Sequence, residues 1–72
     1  MEYIINLTWD NEANVWIATS HDIPGLILES DSFDDLLKRV RLAVPELLAL
    51  NSSRVSPLTL TFLSERKERI AL

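Results

Sequence analysis

Residues 32–50 form the one strongly helical stretch of this 72-residue chain. At about 100° per residue, the apolar side chains of this stretch fall on one face of a helix and most of the charged ones fall outside it. The apolar face consists of Phe33, Leu36, Leu37, Val40, Ala43, Val44, Leu47 and Leu48. Asp31 or Ser32 can cap the first turn, where Asp34 and Asp35 suit the positive end of the helix dipole. One amphipathic helix needs a second layer to cover, and it can cover only one face of a small sheet.

Pro45 lies inside this helical pattern, where it removes the hydrogen bond to the carbonyl of Arg41. Because Leu47 and Leu48 resume the apolar face after it, we expect a kink at Pro45 rather than the end of the helix. Asn51 follows the last apolar residue and marks the expected end.

Four shorter segments show the apolar and β-branched patterns of strands. They are residues 2–9, 15–20, 26 to 29 or 30, and 57–63. A polar five-residue break at 10–14 has the length of a hairpin loop. Pro24 and Gly25 fit the central positions of a type II turn, which needs a positive φ at Gly25.

The order β-β-β-α-β predicts an α+β fold in a single domain spanning residues 1–72. A right-handed crossover through the helix would return the last strand parallel to a neighbour, and the first strand is the simplest choice. We therefore expect a mixed four-stranded sheet with one helix on one face. Its edges and its uncovered face would be available for association with another chain. Residues 64–72 are a charged tail, expected to be frayed or helical.

A chain of this size buries only roughly 60% of its unfolded surface, so its core gives a thin margin of stability. The chain has no cysteine and one histidine, which excludes disulfides and a thiolate metal site. With 47% hydrophobic residues, self-association as a homodimer or higher oligomer is the expected support.

The charges are divided unevenly along the chain, whose net charge is −4. Residues 1–37 hold eight acidic side chains and no Lys or Arg, and residues 38–72 hold all seven basic ones against three acids. The strand-rich half should therefore repel nucleic-acid phosphates and attract a basic protein. A merely solubilising acidic surface is the other interpretation.

No arrangement of residues in the sequence predicts catalysis. Within the predicted strands, acids occur only near the ends, and Asp10, Glu12 and Asp22 fall in turns. His21 lies between Ser20 and Asp22, but adjacent strand residues point to opposite faces. The single glycine excludes a glycine-rich phosphate loop. We expect a non-enzymatic protein without a cofactor or metal.

The uncovered face of the sheet is where we expect function. Ile4 and Trp16 indicate that apolar side chains reach both faces of the first hairpin. The predicted partner or oligomer interface consists of Ile4, Trp16, Ala18, His21 and Asp22. Tryptophan is common at interface hot spots, although a cross-strand pair of Trp9 and Trp16 that holds the hairpin together is the alternative.

Nothing at the N-terminus predicts a signal peptide, because no basic residue precedes the first apolar run. No stretch approaches the roughly 18 apolar residues of a membrane span. We expect a cytoplasmic protein that does not associate with membranes.

Two parts of the chain carry a resemblance to a known family. They are Trp9-Asp10…Glu12-Ala13…Val15-Trp16-Ile17-Ala18-Thr19-Ser20…Asp22-Ile23-Pro24-Gly25-Leu26 and Pro45-Glu46-Leu47-Leu48…Asn51. These parts, together with the segments between and around them, resemble the short HicB-like family from residue 3 to about residue 63. Within that family, the resemblance is to a tryptophan-rich branch. The resemblance implies a partial ribonuclease-H-like fold of β-β-β-α-β order that has lost the nuclease acids.

The same resemblance implies an antitoxin-type function, in which the protein binds and masks a small basic RNA-cleaving toxin of the HicA type. Full-length HicB antitoxins add a C-terminal DNA-binding segment. Nine residues after the last predicted strand are too few for one, so we expect no direct DNA binding. The alternative is a stand-alone oligomeric domain that serves as a regulatory or small-molecule binder without a toxin partner.

Overall fold

The computed structural model describes residues 2–50 and 57–72. Its elements are β1 (Glu2–Asp10), β2 (Val15–Thr19), β3 (Ile27–Ser30), α1 (Phe33–Leu50) and β4 (Thr59–Glu65). The sheet has the order β3-β2-β1-β4, with β4 parallel to β1 and the other pairs antiparallel. The predicted α+β fold and β-β-β-α-β order are confirmed. The polar loop expected after the helix, including Asn51, lies outside the described residues.

The hairpin between β1 and β2 is closed by the side chain of Asp10. Its Oδ1 accepts hydrogen bonds from the backbone N–H groups of Glu12 (2.9 Å) and Ala13 (3.2 Å). Asn14 has a φ of 55°, a conformation that asparagine tolerates well, and its N–H donates to the Asp10 carbonyl at 2.8 Å. Asp10 itself pairs with Val15 in the ladder, so the loop is one residue shorter than the predicted break.

The Pro24-Gly25 turn follows the predicted geometry. Gly25 has a φ of 86°, and the N–H of Leu26 donates to the carbonyl of Ile23 at 3.3 Å. The turn brings the side chains of Ile23 and Leu26 into the core. A Cβ at Gly25 would meet Leu47 at an ordinary 3.5 Å, so the positive φ, not lack of space, is what calls for glycine.

Helix α1 begins with a serine cap. The Ser32 Oγ accepts a hydrogen bond from the N–H of Asp35 at 3.2 Å, and the Ser32 carbonyl accepts from the N–H of Leu36 at 3.0 Å. Of the two predicted caps, the structure uses Ser32. The helix continues past Pro45 to Leu50, so Pro45 does not end it. The kink expected at Pro45 stays a prediction.

The core lies between α1 and one face of the sheet, and every buried side chain in the described residues is apolar. The buried set is Ile5, Leu7, Ala18, Ile23, Leu26, Leu36, Val40, Val44 and Leu48. The four helix members belong to the predicted apolar face, and its other four residues pack against this core half-buried. The helical periodicity therefore predicted the covered face correctly.

Helix α1 lies nearest to the β3 and β2 side of the sheet. Its Cα atoms come within 8 Å of those of β3 and β2, whereas in the described part of the chain none comes this close to β1 or β4. Leu60 and Phe62, which point from β4 toward the helix side, are consequently only half-buried. The sheet is thus open on its far face and partly uncovered at its β4 edge.

Candidate partner-binding face

We call the side of the sheet that points away from α1 the open face. Strand alternation and the pairing register define its members. They are Glu2, Ile4, Asn6, Thr8 and Asp10 of β1, Val15, Ile17 and Thr19 of β2, Ile27 and Glu29 of β3, and Thr59, Thr61, Leu63 and Glu65 of β4. No other described element covers them.

The two most exposed apolar side chains of the open face are separated from each other. Ile27 is 71% exposed and Leu63 is 51% exposed, but they lie on opposite edges of the sheet. Thr19 and Asn6 stand between them in the same cross-strand row. The open face therefore mixes exposed aliphatic groups with threonines, and it lacks the continuous apolar surface that the sequence interpretation expected there.

The strand positions of the open face carry four carboxylates and no Lys or Arg. They are Glu2, Asp10, Glu29 and Glu65, of which Asp10 is engaged in the hairpin turn. The Glu2 carboxylate accepts a hydrogen bond from the Thr61 hydroxyl at 3.1 Å, which holds it over the sheet. Glu65 forms an exposed ion pair with Lys67 at 3.5 Å, just beyond the end of β4. The charged residues at the strand positions of this face are therefore all acidic, the sign that attracts basic groups.

The outer side of α1 carries charges of both signs. Lys38, Arg39 and Arg41 follow the acidic first turn, and Glu46 is exposed further along the helix. The Arg39 guanidinium donates to the backbone carbonyl of Glu29 at 2.7 Å, which ties the helix to strand β3. Basic groups thus lie on the helix side of the molecule, and the strand carboxylates point to the other side.

One end of the open face is fixed by a side-chain network that extends the β1–β2 ladder. The backbone N–H of Ile4 donates to the Asp22 carboxylate at 2.7 Å, and the Ser20 hydroxyl donates to the Ile4 carbonyl at 2.6 Å. Ser20 Oγ also accepts from the N–H of Asp22 at 3.1 Å. Asp22 and Ser20 therefore close the ladder, and His21 between them is exposed.

The structure divides the five predicted interface residues between two faces. Ile4, 39% exposed, and Asp22 come together at the end of the open face, with His21 beside them in the chain. Ala18 is fully buried and Trp16 points toward α1, so the expectation that both would share a surface with Ile4 is wrong. The reason is the hairpin register, because pairing of Asp10 with Val15 puts Trp16 opposite Trp9 on the helix side.

Trp16 belongs to an aromatic cluster at the end of the core. Its ring meets Trp9 edge-on at 5.5 Å and Phe33, the first residue of α1, at 4.8 Å. The cross-strand pair of tryptophans that was the alternative interpretation is confirmed. The Trp9 Nε1–H donates to the side-chain carbonyl of Asn11 at 2.8 Å, which satisfies the indole.

Sequence reasoning missed one member of this cluster. The Arg66 guanidinium lies 4.1 Å from the ring centre of Trp9 and 5.9 Å from that of Trp16. The sequence interpretation placed Arg66 in a solvated tail. Continuing the alternation of β4 beyond Leu63 would have placed Arg66 on the side of Trp9, and that was the available signal.

Other kinds of site receive less support from the described residues. Residues 2–50 and 57–72 contain no group of three His, Cys, Asp or Glu side chains placed to hold a metal ion. A shallow apolar depression of about 270 Å³ lies beside α1, lined by Leu28, Arg39, Leu42, Ala43 and Glu46. It is smaller than the roughly 300–1,000 Å³ of typical ligand pockets. No helix in this part of the chain is both long and apolar enough for a membrane span.

The fold defines a class of small α+β domains in which one helix covers one face of a mixed four-stranded sheet. Within that class, the chain belongs to the family described as domain of unknown function DUF1902, whose model matches residues 2–72. Neither the family description nor the structural match below names a HicB-like protein.

The chain is also similar to a solved structure, that of the hypothetical protein TTHA1013 from the extremely thermophilic bacterium Thermus thermophilus. The two share 34% sequence identity over 97% of this chain and 100% of the other, with a TM-score of 0.84. No curated protein matches the chain. The likeness supports the fold over nearly the whole chain.

Proposed function

We propose that this protein is a non-enzymatic interaction module of the HicB-like antitoxin type. It would bind a small basic RNA-cleaving protein and mask the surface on which that protein holds RNA. The observation that carries the proposal is the open face, whose strand positions hold Glu2, Asp10, Glu29 and Glu65 without a Lys or Arg. The sequence resemblance of residues 9–26 to HicB-like proteins supplies the type of partner.

The mechanism is occlusion. An RNA-cleaving protein needs a basic surface for phosphates, and the carboxylates of the open face would compete for that surface. Charge complementarity would govern the rate of encounter, while affinity would come from the burial of apolar side chains. Ile27 and Leu63, exposed at opposite edges of this face, are the groups available for that burial.

The rival function, a stand-alone regulatory or small-molecule binder, has weaker support. The depression beside α1 is shallow and small, and its lining includes Leu42, which is 69% exposed. A ligand there would leave much of its surface in water. The open face is the larger and better-defined feature, and its chemistry favours a protein partner.

The proposal is tested by co-expression with a small Lys- and Arg-rich protein encoded in an adjacent reading frame. We expect the two to co-purify, and we expect the complex to protect RNA that the basic protein alone degrades. Absence of association, together with cell growth that is indifferent to both proteins, would refute the antitoxin function. RNA cleavage by the present protein itself, with Mg²⁺ or Mn²⁺, would refute its non-enzymatic character.

A further inference from the structure

Strand β4 is followed by seven residues, 66–72, that form no helix and pair with no strand in the structure; we call them the arm. All seven are exposed, and Ile70 (77%) and Leu72 (120%) are among the most exposed apolar side chains of the described chain. The molecule is 52 Å long and 18 Å across, although its longest strand spans only about 30 Å at 3.3 Å per residue. These dimensions agree with an arm that continues in the direction of β4.

The arm is anchored at its base. Arg66 stacks over Trp9, and the carbonyl of Lys67 accepts a hydrogen bond from the Asn11 side chain at 3.4 Å. Both contacts lie on the inner side of the arm, toward β1. The outer edge of β4 and of the arm faces away from the sheet, where strand edges offer backbone groups for further pairing.

The edge beside the arm has an incompletely covered apolar strip. Leu60 and Phe62 point to the helix side of β4, but α1 lies over β2 and β3 and leaves them half-buried. The position of Arg66 over Trp9 shows that the alternation of β4 continues into the arm. Ile70 and Leu72 are in the same phase as Phe62 and would therefore reach the same side of an extended sheet.

The order of charges in the arm is self-complementary about Lys67. The sequence Glu65-Arg66-Lys67-Glu68-Arg69 reads acid, base, base, acid, base. When two copies pair antiparallel with Lys67 opposite Lys67, Glu65 faces Arg69 and Arg66 faces Glu68, each twice. These four opposite-charge pairs outnumber the single like-charged pair of lysines at the centre. A parallel pairing in register would instead set like charges opposite each other, which is unfavourable.

We infer that the arms of two copies of this chain pair antiparallel, centred on Lys67, to form a homodimer. In this register Leu72 of each copy lies opposite Phe62 of the other and beside Leu60. Ile70 lies opposite Ser64 and diagonal to Phe62, so the exposed end of the arm covers the half-buried strip. The existing ion pairs of Arg66 with Glu68 (2.8 Å) and Lys67 with Glu65 (3.5 Å) are exposed and become part of a ladder across the two arms.

This inference does not rest on the proposed function. It concerns the outer edge of β4 and the arm, whereas partner binding is assigned to the open face, and Glu65 is the one charged residue that both use. The dimer is measured with the purified chain alone, and partner binding is measured by co-purification. Either can therefore fail without deciding the other.

The first experiment is sedimentation equilibrium of the full chain and of two matched variants. Ile70→Asp places a charge in the arm, and Leu42→Asp places the same charge on α1 at a similarly exposed position (77% and 69%). We expect a dimer that Ile70→Asp converts to monomer and that Leu42→Asp leaves intact. Because both side chains are exposed, circular dichroism should show both variants folded.

The second experiment tests the register. Glu65→Arg and Arg69→Glu should each weaken the dimer roughly three- to tenfold, since each sets two like-charged pairs opposite each other. The double variant should restore the affinity of the dimer, because Arg at position 65 then faces Glu at position 69 and the opposite-charge pairs form again. Within one extended chain these two positions are about 13 Å apart, so rescue cannot come from a contact inside one copy.

A monomer at millimolar concentration would overturn the inference. A dimer that tolerates Ile70→Asp would also overturn it. So would a double variant whose dimer affinity is no higher than that of the single variants.

Discussion

Arg66 and Trp9 lie far apart in the sequence, yet the guanidinium of Arg66 stacks 4.1 Å from the centre of the Trp9 ring. The contact joins the residue that follows β4 to the end of β1. It extends the parallel pairing of these strands, whose last register pair is Thr8 with Glu65. It also covers the edge of the aromatic cluster that closes the core.

Arg66→Ala should lower the free energy of unfolding by about 0.5–1 kcal/mol, the magnitude of a cation–π contact at an exposed site. Urea denaturation followed by tryptophan fluorescence measures the change. Arg69→Ala, which removes the same charge further along the arm, is the matched control and should have little effect under conditions where the chain is monomeric. Equal losses for the two variants would mean that the contact with Trp9 does not stabilise the fold.

Ser32→Ala should destabilise the protein by about 1 kcal/mol, because it removes the hydroxyl that accepts the N–H of Asp35. Thermal unfolding monitored by far-ultraviolet circular dichroism checks this. Asp31→Ala is the comparison, since the sequence allowed either residue as the cap. In high salt, which screens the attraction of Asp31 to the helix dipole, we expect Asp31→Ala to change stability little. A larger loss for Asp31→Ala would contradict the assignment of the cap.

Gly25→Ala should cost about 1–2 kcal/mol, because an L side chain is strained at a φ of 86°. The neighbouring Pro24→Ala changes mainly the freedom of the unfolded chain and should cost about 0.4–1 kcal/mol. Chemical denaturation of both variants gives the comparison. An unchanged midpoint for Gly25→Ala would show that the turn relaxes to another conformation without loss.

Most of the fold could be predicted from periodicity alone. The apolar face of α1 is wide and regular, so it identified the helix residues that the structure buries. The alternation of β1 likewise agrees with the burial of Ile5 and Leu7 on one side of the strand. These patterns work because the burial of apolar area dominates the energetics of a small domain.

The face of β2 could not be predicted in the same way. Its two sides are both apolar, so burial gives no preference, and the assignment depends on the hairpin register. A break of five residues pairs Trp9 with Val15, whereas the observed loop pairs Trp9 with Trp16. One residue of shift exchanges the faces of a whole strand, which is why Trp16 and Ala18 were expected on the wrong surface.

The position of the helix across the strands of the sheet could not be predicted from the sequence either. Periodicity states which side of α1 is covered, but not which strands it lies over. The offset of α1 toward β2 and β3 is what leaves Leu60 and Phe62 half-buried at the β4 edge. The contact of Arg66 with Trp9 depends on the parallel register of β1 and β4, which the sequence did not specify.

The most direct test is the affinity of this protein for the proposed basic partner when one carboxylate is reversed on either side of the molecule. Glu29→Lys changes the open face, and Glu46→Lys makes the same change on the exposed side of α1. Isothermal titration calorimetry at low salt should show Kd weakened at least about tenfold by Glu29→Lys and little changed by Glu46→Lys. The difference should shrink in high salt, because exposed charges act within a Debye length of about 8 Å at physiological ionic strength and less above it. Equal effects of the two reversals, or an affinity that Glu29→Lys leaves unchanged, would contradict binding through the open face.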